Sequence, residues 1–469
     1  MNKLQTLTLA ALLLSGCTMA PEYIKPASPV PTEWPQGDAY KKLKDHAVQQ
    51  VGGMPWQDFF TDAKLRQIIE TALKNNRDLR VAALNVERAQ AMYGVQRTGI
   101  YPSANGSGKL DKQGLSEDLV ESGQPTSTEK YTLKAEIPSW ELDFFGRIRS
   151  LTDQALEEYL ATAEARRSAE LALISETAKA YLTLAADQEN LRLAKATLAS
   201  QQDSYGLVEK SYKNGLATEL DLRRAQSEVE TAKRDVPRFT QRVAQDRNAL
   251  DLLIGAPVEK QLLPDKLDSV AALKEIDPGL PSAVLLNRPD IAAAEHKLKG
   301  AYAYIGAARA SVFPKISLTA SAGTASNELF GLFGSGTGIW SFAPQIDVPI
   351  FDSRVWAALK ISETDRKILL AKYEKTVQTA FKEVADALAV QGTINEQLAA
   401  QEALVESAEA TYQLSDKRYT MGLDSYLSVL DAHRSLYTQQ QALISLRLTR
   451  LANQVTLYAV LGGGQKNTD

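Results

Sequence analysis

Few side chains in this chain are of a type, or at a spacing, to do covalent or metal chemistry. There is one cysteine, Cys17, and there are three histidines, His46, His296 and His433. One Cys and three scattered His exclude a Cys/His zinc site, which needs four clustered ligands. A single Cys also excludes a disulfide within the chain. No G-x-S-x-G nucleophile elbow or phosphate-binding P-loop occurs, and no carboxylate pair is set in a compact domain. The five methionines form no metal-binding cluster. An enzyme, a cofactor and a metal site are therefore all poorly supported. What is left is the thiol of Cys17, and its position is informative.

Met1-Asn2-Lys3 is followed by an apolar run from Leu4 to Leu14, then by Leu14-Ser15-Gly16-Cys17. A short positive start, an apolar core of about ten residues and small residues before a cut form a secretory signal. Leu-Ser-Gly-Cys is similar to the bacterial lipobox, whose Cys is acylated and becomes the new N-terminus. Acyl chains contribute ~0.8 kcal/mol per buried CH₂, so several chains anchor a protein stably. Thr18 stands where an inner-membrane retention signal has Asp, which points to the outer membrane. Residues 1–16 are read as signal peptide, and 17–60 as a lipidated, Pro-rich, extended segment.

The elements that must position any site come from the remainder. The chain has 469 residues, 44% hydrophobic and 23% charged, with 53 Lys+Arg against 57 Asp+Glu for a net charge of −4. This composition excludes wholesale disorder, and the balance argues against a nucleic-acid partner. No apolar stretch reaches the ~18 residues a transmembrane helix needs. Length alone suggests about three domains, but an internal repeat changes that count. Glu176-Thr177-Ala178-Lys179-Ala180 matches Glu383-Val384-Ala385-Asp386-Ala387, and Tyr212 to Leu216 matches Tyr419 to Leu423, both at an offset of 207. Asn76-Arg77-Asp78-Leu79 and Asn287-Arg288-Pro289-Asp290-Ile291 each open an Ala-rich helical stretch; Asp78 to Pro102 and Asp290 to Pro314 both span 24 residues. The two copies are placed at 61–270 and 271–464, with a tail at 465–469.

Each copy reads as helix, strand pair, very long helix, turn, long helix. No proline occurs between Pro138 and Pro237 or after Pro349. Gly146 to Tyr212 spans ~100 Å as one helix at ~1.5 Å per residue. Stripes such as Leu171, Ile174, Ala178, Tyr181 and Ala185 read as packing seams. Asn214-Gly215 and Met421-Gly422 interrupt the helices in equivalent places and fit left-handed caps, making two hairpin tips. Strands are expected at about 103–112, 128–143, 315–326 and 338–350. Tyr131, Leu133, Ala135 and Ile137 alternate with polar residues, as do Ile316, Leu318, Ala320 and Ala322, and Trp340, Phe342, Ile346 and Val348. A half-buried soluble sheet gives the same alternation, but an exported, acylated chain without a spanning helix favours a transmembrane β-barrel. Four strands cannot close one, since the smallest have about eight, so the chain must oligomerise. The connections Asp111 to Thr128 and Asn327 to Gly338 are the expected outer loops.

These features resemble the outer membrane factor family, the TolC-like channels of Gram-negative bacteria, and within it the lipidated multidrug-efflux branch typified by OprM. The likeness runs from Cys17 to Gly464. It is most specific in Asn75 to Ala83, Trp140-Glu141-Leu142-Asp143-Phe144-Phe145-Gly146-Arg147, Ser282 to Ala292, and Arg418-Tyr419 to Leu430-Asp431-Ala432. The resemblance implies an α+β membrane protein. As a homotrimer it forms a twelve-stranded β-barrel in outer-membrane lipid and a twelve-helix α-barrel in the periplasm. Its implied partners are a periplasmic adaptor (membrane fusion protein) and a proton-driven inner-membrane transporter of the RND type. The implied activity is passive conduction of drugs and other small molecules to the outside, gated by an iris at the helix tips.

Carried over position by position, the pore constriction falls on Leu427 and Asp431, four apart and hence on one helix face. Three copies would give an apolar ring and an acidic ring favouring cations. The latch maps to Tyr419 and Asp221, with Arg223, Arg224 and Asp424 as further charges. Asn214, Gly215, Met421 and Gly422 would meet the adaptor. His433, two residues from Asp431, reads as a surface residue. A periplasmic adaptor or coiled-coil lipoprotein is the competing architecture, and the alternating strands argue against it. Type I protein secretion and metal-ion efflux are the competing cargoes on the same fold.

Overall fold

The structure, a computed structural model, describes residues 18–40, 54–120, 125–271, 273–274, 285–286 and 288–463. The expected signal peptide, Cys17, Asn287, Gly464 and the 465–469 tail lie outside the described residues. In chain order the elements are α1 (Trp56–Phe59), α2 (Ala63–Asn75), α3 (Arg77–Thr98), β1 (Asn105–Gly114), β2 (Ser127–Leu142), α4 (Arg147–Lys213), α5 (Glu219–Ile254), α6 (Pro289–Ala310), β3 (Lys315–Ser326), β4 (Gly338–Asp347), α7 (Ser353–Thr420) and α8 (Tyr426–Val460). The succession helix, strand pair, long helix, shorter helix occurs twice.

Helices α4 and α7 have 67 and 68 residues, each ~100 Å long. Both are rich in Ala, Leu, Glu, Gln and Lys, the strong helix formers. Burial of Ile174, Ala178, Tyr181 and Ala185 in one, and of Val377, Val384 and Leu388 in the other, supplies the packing a long helix needs. Both end alike. Gly215 and Gly422 have φ of 72°. Leu216 N–H donates to Ser211 O at 2.8 Å and Leu423 N–H to Arg418 O at 2.9 Å, the outer bond of a Schellman cap. Pro237, which closes the proline-free interval, lies inside α5 without ending it; buried Ala232 and Phe239 on either side hold the helix together.

The chain divides into two compact units. The first comprises residues 1–27, 85–163 and 293–373 and holds one antiparallel sheet of order β1-β2-β3-β4. The register puts Gly106, Ala135, Ala322 and Trp340 in one row and Ile137, Ala320 and Phe342 in the next. A shift between Ile137 and Trp140, at Pro138, resets the alternation. Beyond it Trp140 and Leu142 rejoin the apolar face opposite Leu318 and Ile316. Simple period-two reading misses this bulge, where proline is tolerated because the ladder is already interrupted.

The strand ends also differ from expectation. β1 starts at Asn105 and continues to Gly114, and β4 stops at Asp347. The first outer loop is therefore 115–126, shorter than Asp111 to Thr128, because Asp111, Lys112 and Gln113 pair with Lys130, Glu129 and Thr128. Those residues are polar on both faces, so no apolar alternation marks them as strand.

The second unit comprises residues 28–84, 164–292 and 374–469. Its core stacks Phe59 on Tyr458 at 4.3 Å, with Phe60 edge-on to Phe59. Equivalent ties close the two halves: Asn76 Nδ2 donates to Leu253 O and Arg288 Nη1 to Val460 O, both at 2.9 Å. Leu253 and Val460 are 207 apart, the repeat offset. Arg288 also pairs with Asp290 and Glu383 at 2.8 and 2.9 Å. Next to the first tie, Gly255 has φ 72°, and a Cβ there would stand 2.6 Å from Asn75 O.

Candidate functional site: the helix tips

The two hairpin tips are packed together within the second unit. Val208, Ala225, Tyr426, Val429 and Leu430 form a buried cluster, covered by Tyr205, Leu222, Tyr412 and Tyr419. The rings of Tyr419 and Tyr426 lie 5.2 Å apart. Burial of Tyr426 and Val429-Leu430 fixes the rotation of α8. It leaves Leu427 and Asp431 on an adjoining, exposed face, with Leu427 38% exposed and the Asp431 side chain 63% exposed. Asp431 lies 3.7 Å from Arg434 on its own helix.

The residues mapped to the latch are placed as follows. Asp221 accepts from Thr218 Oγ1 at 2.6 Å and from Thr218 N at 3.2 Å, closing a capping box at the start of α5. Tyr419 is half-buried nearby; burial, and then the Asp221 carboxylate, hold its hydroxyl above the usual range. Asp424 pairs with Arg418 at 2.8 Å within its own tip. Arg223 lies on an exposed face with Glu219 and Gln226 at 3.4 and 3.1 Å. Arg224 is half-buried and makes no ion pair among the described residues. Asn214, Gly215, Met421 and Gly422 are all exposed at the turns, where Leu216 and Leu423 add apolar surface.

His433 is a correction. It is part-buried and partnered, not a free surface residue: its Nδ1 lies 2.8 Å from Gln201 Nε2, and its ring meets Tyr412 edge-on at 5.0 Å. Burial lowers its basicity, against a smaller opposing pull from Glu228. Two neighbouring contacts between α5 and α8 also escape sequence reading. Glu228, 7% exposed, accepts from Arg434 Nε at 2.9 Å and from its Nη2. One to two turns further along, buried Asp235 accepts from the Tyr437 hydroxyl at 3.2 Å, and burial beside that carboxylate pushes Tyr437 up to about 12. The available signal is a charge inside an apolar stripe: Glu228 shares one helical face with Ala225, Val229 and Ala232.

In the first unit, the sheet's apolar face is uncovered. Trp340, Phe342 and Ile346 are 81%, 62% and 64% exposed in one row of β4, and β1 and β4 are both open edges among the described residues. Contiguous apolar area of this kind marks an interaction or membrane surface. Among the described residues, no helix is long and apolar enough to cross a membrane.

A model of the outer membrane efflux protein family matches residues 68–256 and 280–463, one block in each half. The chain belongs to the outer membrane efflux protein family. It is 47% identical over 463 residues to a toluene efflux pump outer membrane protein of Pseudomonas putida, covering 97% of this chain and 96% of that one. It is 40% identical over 458 residues to the outer membrane protein OprJ of Pseudomonas aeruginosa, covering 97% and 95%. The crystal structure of the open state of the Neisseria gonorrhoeae MtrE outer membrane channel superposes with a TM-score of 0.85 at 35% identity, over 96% of this chain and 99% of that one. The outer membrane efflux protein described here is thus a TolC-like channel protein of Gram-negative outer membranes, and its family is not one of enzymes.

Proposed function

We propose that this efflux protein is the exit duct of a tripartite pump, closed at rest by the α8 face that carries Leu427 and Asp431. The observation that carries the reading is the rotation of α8: Tyr426, Val429 and Leu430 are buried against α4 and α5 while Leu427 and Asp431 point away from their own chain. Around a three-fold axis those two positions form an apolar ring and an acidic ring. Two open sheet edges support a trimer, since three four-stranded shares close a twelve-stranded barrel without a free edge. The apolar face with Trp340 and Phe342 then meets the bilayer and the Lys134, Glu136, Ser321 and Gln345 face lines water.

The exposed turns at Asn214-Gly215 and Met421-Gly422 suit contact with a periplasmic adaptor, which would couple the duct to an inner-membrane RND-type transporter. Tyr419 and Asp221 act as the latch between tips, with Asp424, Arg223 and Arg224 at its margin. The chain is held to the membrane by acylation of Cys17. Aromatic and solvent-like compounds are the cargo that relatedness to a toluene efflux protein favours.

Asp431→Ala in planar bilayers tests the ring assignment. Cation preference is expected to weaken, seen as a smaller reversal potential in a salt gradient. An unaltered reversal potential would remove Asp431 from the pore lining.

A further inference from the structure

We propose that the cavity at the junction of α6 and β3 is a station for aromatic organic cations passing through the duct, an inference that rests on the sheet's polar face lining water. The cavity measures about 520 Å³, a volume that suits a drug-sized ligand. Leu142, Phe144, Phe313 and Val348 are among its walls. Phe144 and Phe313 are 42% and 41% exposed, so their rings present free surface. Phe313 is held in place by stacking on Phe145 at 4.9 Å. Walls of this kind recognise an apolar, ring-bearing body through buried area and ring faces.

The charged lining decides what such a body must carry. Asp143 accepts from Arg149, and Glu141 takes two cations, Arg147 at 2.7 and 2.6 Å and Lys315 at 3.3 Å. Lys315 stands directly opposite Asp347 in the strand register, yet it turns to Glu141. Asp347 is left with the neutral side-chain amide of Gln345, at 2.9 and 3.0 Å, and no cation among the described residues. An anion entering the cavity would meet cations that are already taken and a carboxylate that is not. A bare divalent ion would find one free carboxylate, far short of the six or so oxygen ligands it takes. A cation with an aromatic body satisfies both parts: its charge faces Asp347 while its rings lie against Phe144 and Phe313.

The place of these charges in the sheet gives the cavity its role. Glu141, Ser317 and Gln345 share one row, and Lys315 and Asp347 form the next row on the same, polar face. Both rows lie at the end of the sheet that continues into α4 and α7, since β2 ends at Leu142 and β4 at Asp347. A cation leaving the helical part of the duct would meet Asp347 as it enters the barrel. One partly solvated carboxylate and two half-exposed rings hold such a cargo briefly, which conduction requires.

Equilibrium dialysis of radiolabelled tetraphenylphosphonium against the full-length protein in nanodiscs tests the site, with uptake by empty nanodiscs subtracted. Tetraphenylborate, the same shape with a negative charge, is the comparison. Protein-dependent binding is expected for the phosphonium and not for the borate. Asp347→Asn should weaken it about fivefold, the share of one partly solvated ion pair. Phe144→Leu should weaken it by a similar factor through loss of the ring face. Binding that is unchanged in both variants, or equal for the borate, overturns the site. Gln345→Cys, treated with a charged membrane-impermeant thiosulfonate during planar-bilayer recording, tests the face separately, with the parent chain treated alike. Conductance is expected to fall in the variant alone. A fall there with no phosphonium binding overturns the cation site and leaves the water-lined face standing. Unchanged conductance overturns the water-lined face, and the role in export with it.

Discussion

Arg434→Ala is the perturbation that most directly examines how the tip is held. Glu228 is nearly inaccessible and takes two charge-assisted bonds from Arg434, its cross-helix ion partner. Removing the guanidinium leaves a carboxylate between α5 and α8 without an ion partner among the described residues. Breaking a fully buried pair costs about 3–5 kcal/mol. Here Arg434 is half-exposed, so water reaches one side and about 2 kcal/mol is the reasonable share. If the closed tip depends on this contact, that loss multiplies the open population by about 30-fold. Single-channel recording in planar bilayers should show more frequent or larger openings, and hydrogen exchange should quicken in residues 426–437. Glu228→Gln in the Arg434→Ala background removes the buried charge and should recover most of the loss. Unchanged conductance and unchanged exchange in Arg434→Ala would show that α8 is held by the Tyr426–Leu430 cluster alone.

Asp221→Ala and Tyr419→Ala should each raise conductance. Because Asp221 also closes a capping box worth about 1 kcal/mol, Thr218→Ala is the control: an equal rise there would mean that the cap, and not a latch, is responsible. Asp246 is pushed up to about 6 by burial and by Asp187 beside it. Its folded value lies above its unfolded one, so its contribution is present below pH ~4 and lost as pH rises through ~6. After discounting for partial exposure the effect is about 1–2 kcal/mol. Asp246→Asn should therefore raise the melting temperature at pH 7 and flatten its pH dependence between 4 and 6; a profile parallel to the parent's would refute this. Gly255→Ala meets both a left-handed backbone and Asn75 O. It should cost about 2–3 kcal/mol, read as a lower denaturation midpoint, whereas Gly94→Ala in open helical space should cost nothing.

Much of the architecture is set by local sequence. Proline-free runs and Gly215 and Gly422 dictate two long helices with left-handed caps, since helix propensity and positive φ are properties of single residues and their neighbours. The 207-residue offset dictates that whatever one half does the other repeats. Period-two alternation dictates which strand face is apolar. The bulge at Pro138, the extra pairing of Asp111 to Gln113, the partnership of Glu228 with Arg434, and the burial of His433 were all decided by tertiary structure. Each depends on which residue stands opposite, in the partner strand of the same hairpin for Asp111 to Gln113 and far away in sequence for the others, a register that no local pattern encodes. The same holds for Gly306, which reads as one more small residue in an Ala-rich helix until the Ala20 backbone and Ser150 are seen to close on it. Chain-local chemistry determined the helices, strands and tips, whereas long-range packing decided which charges face a partner across helices and which stay exposed.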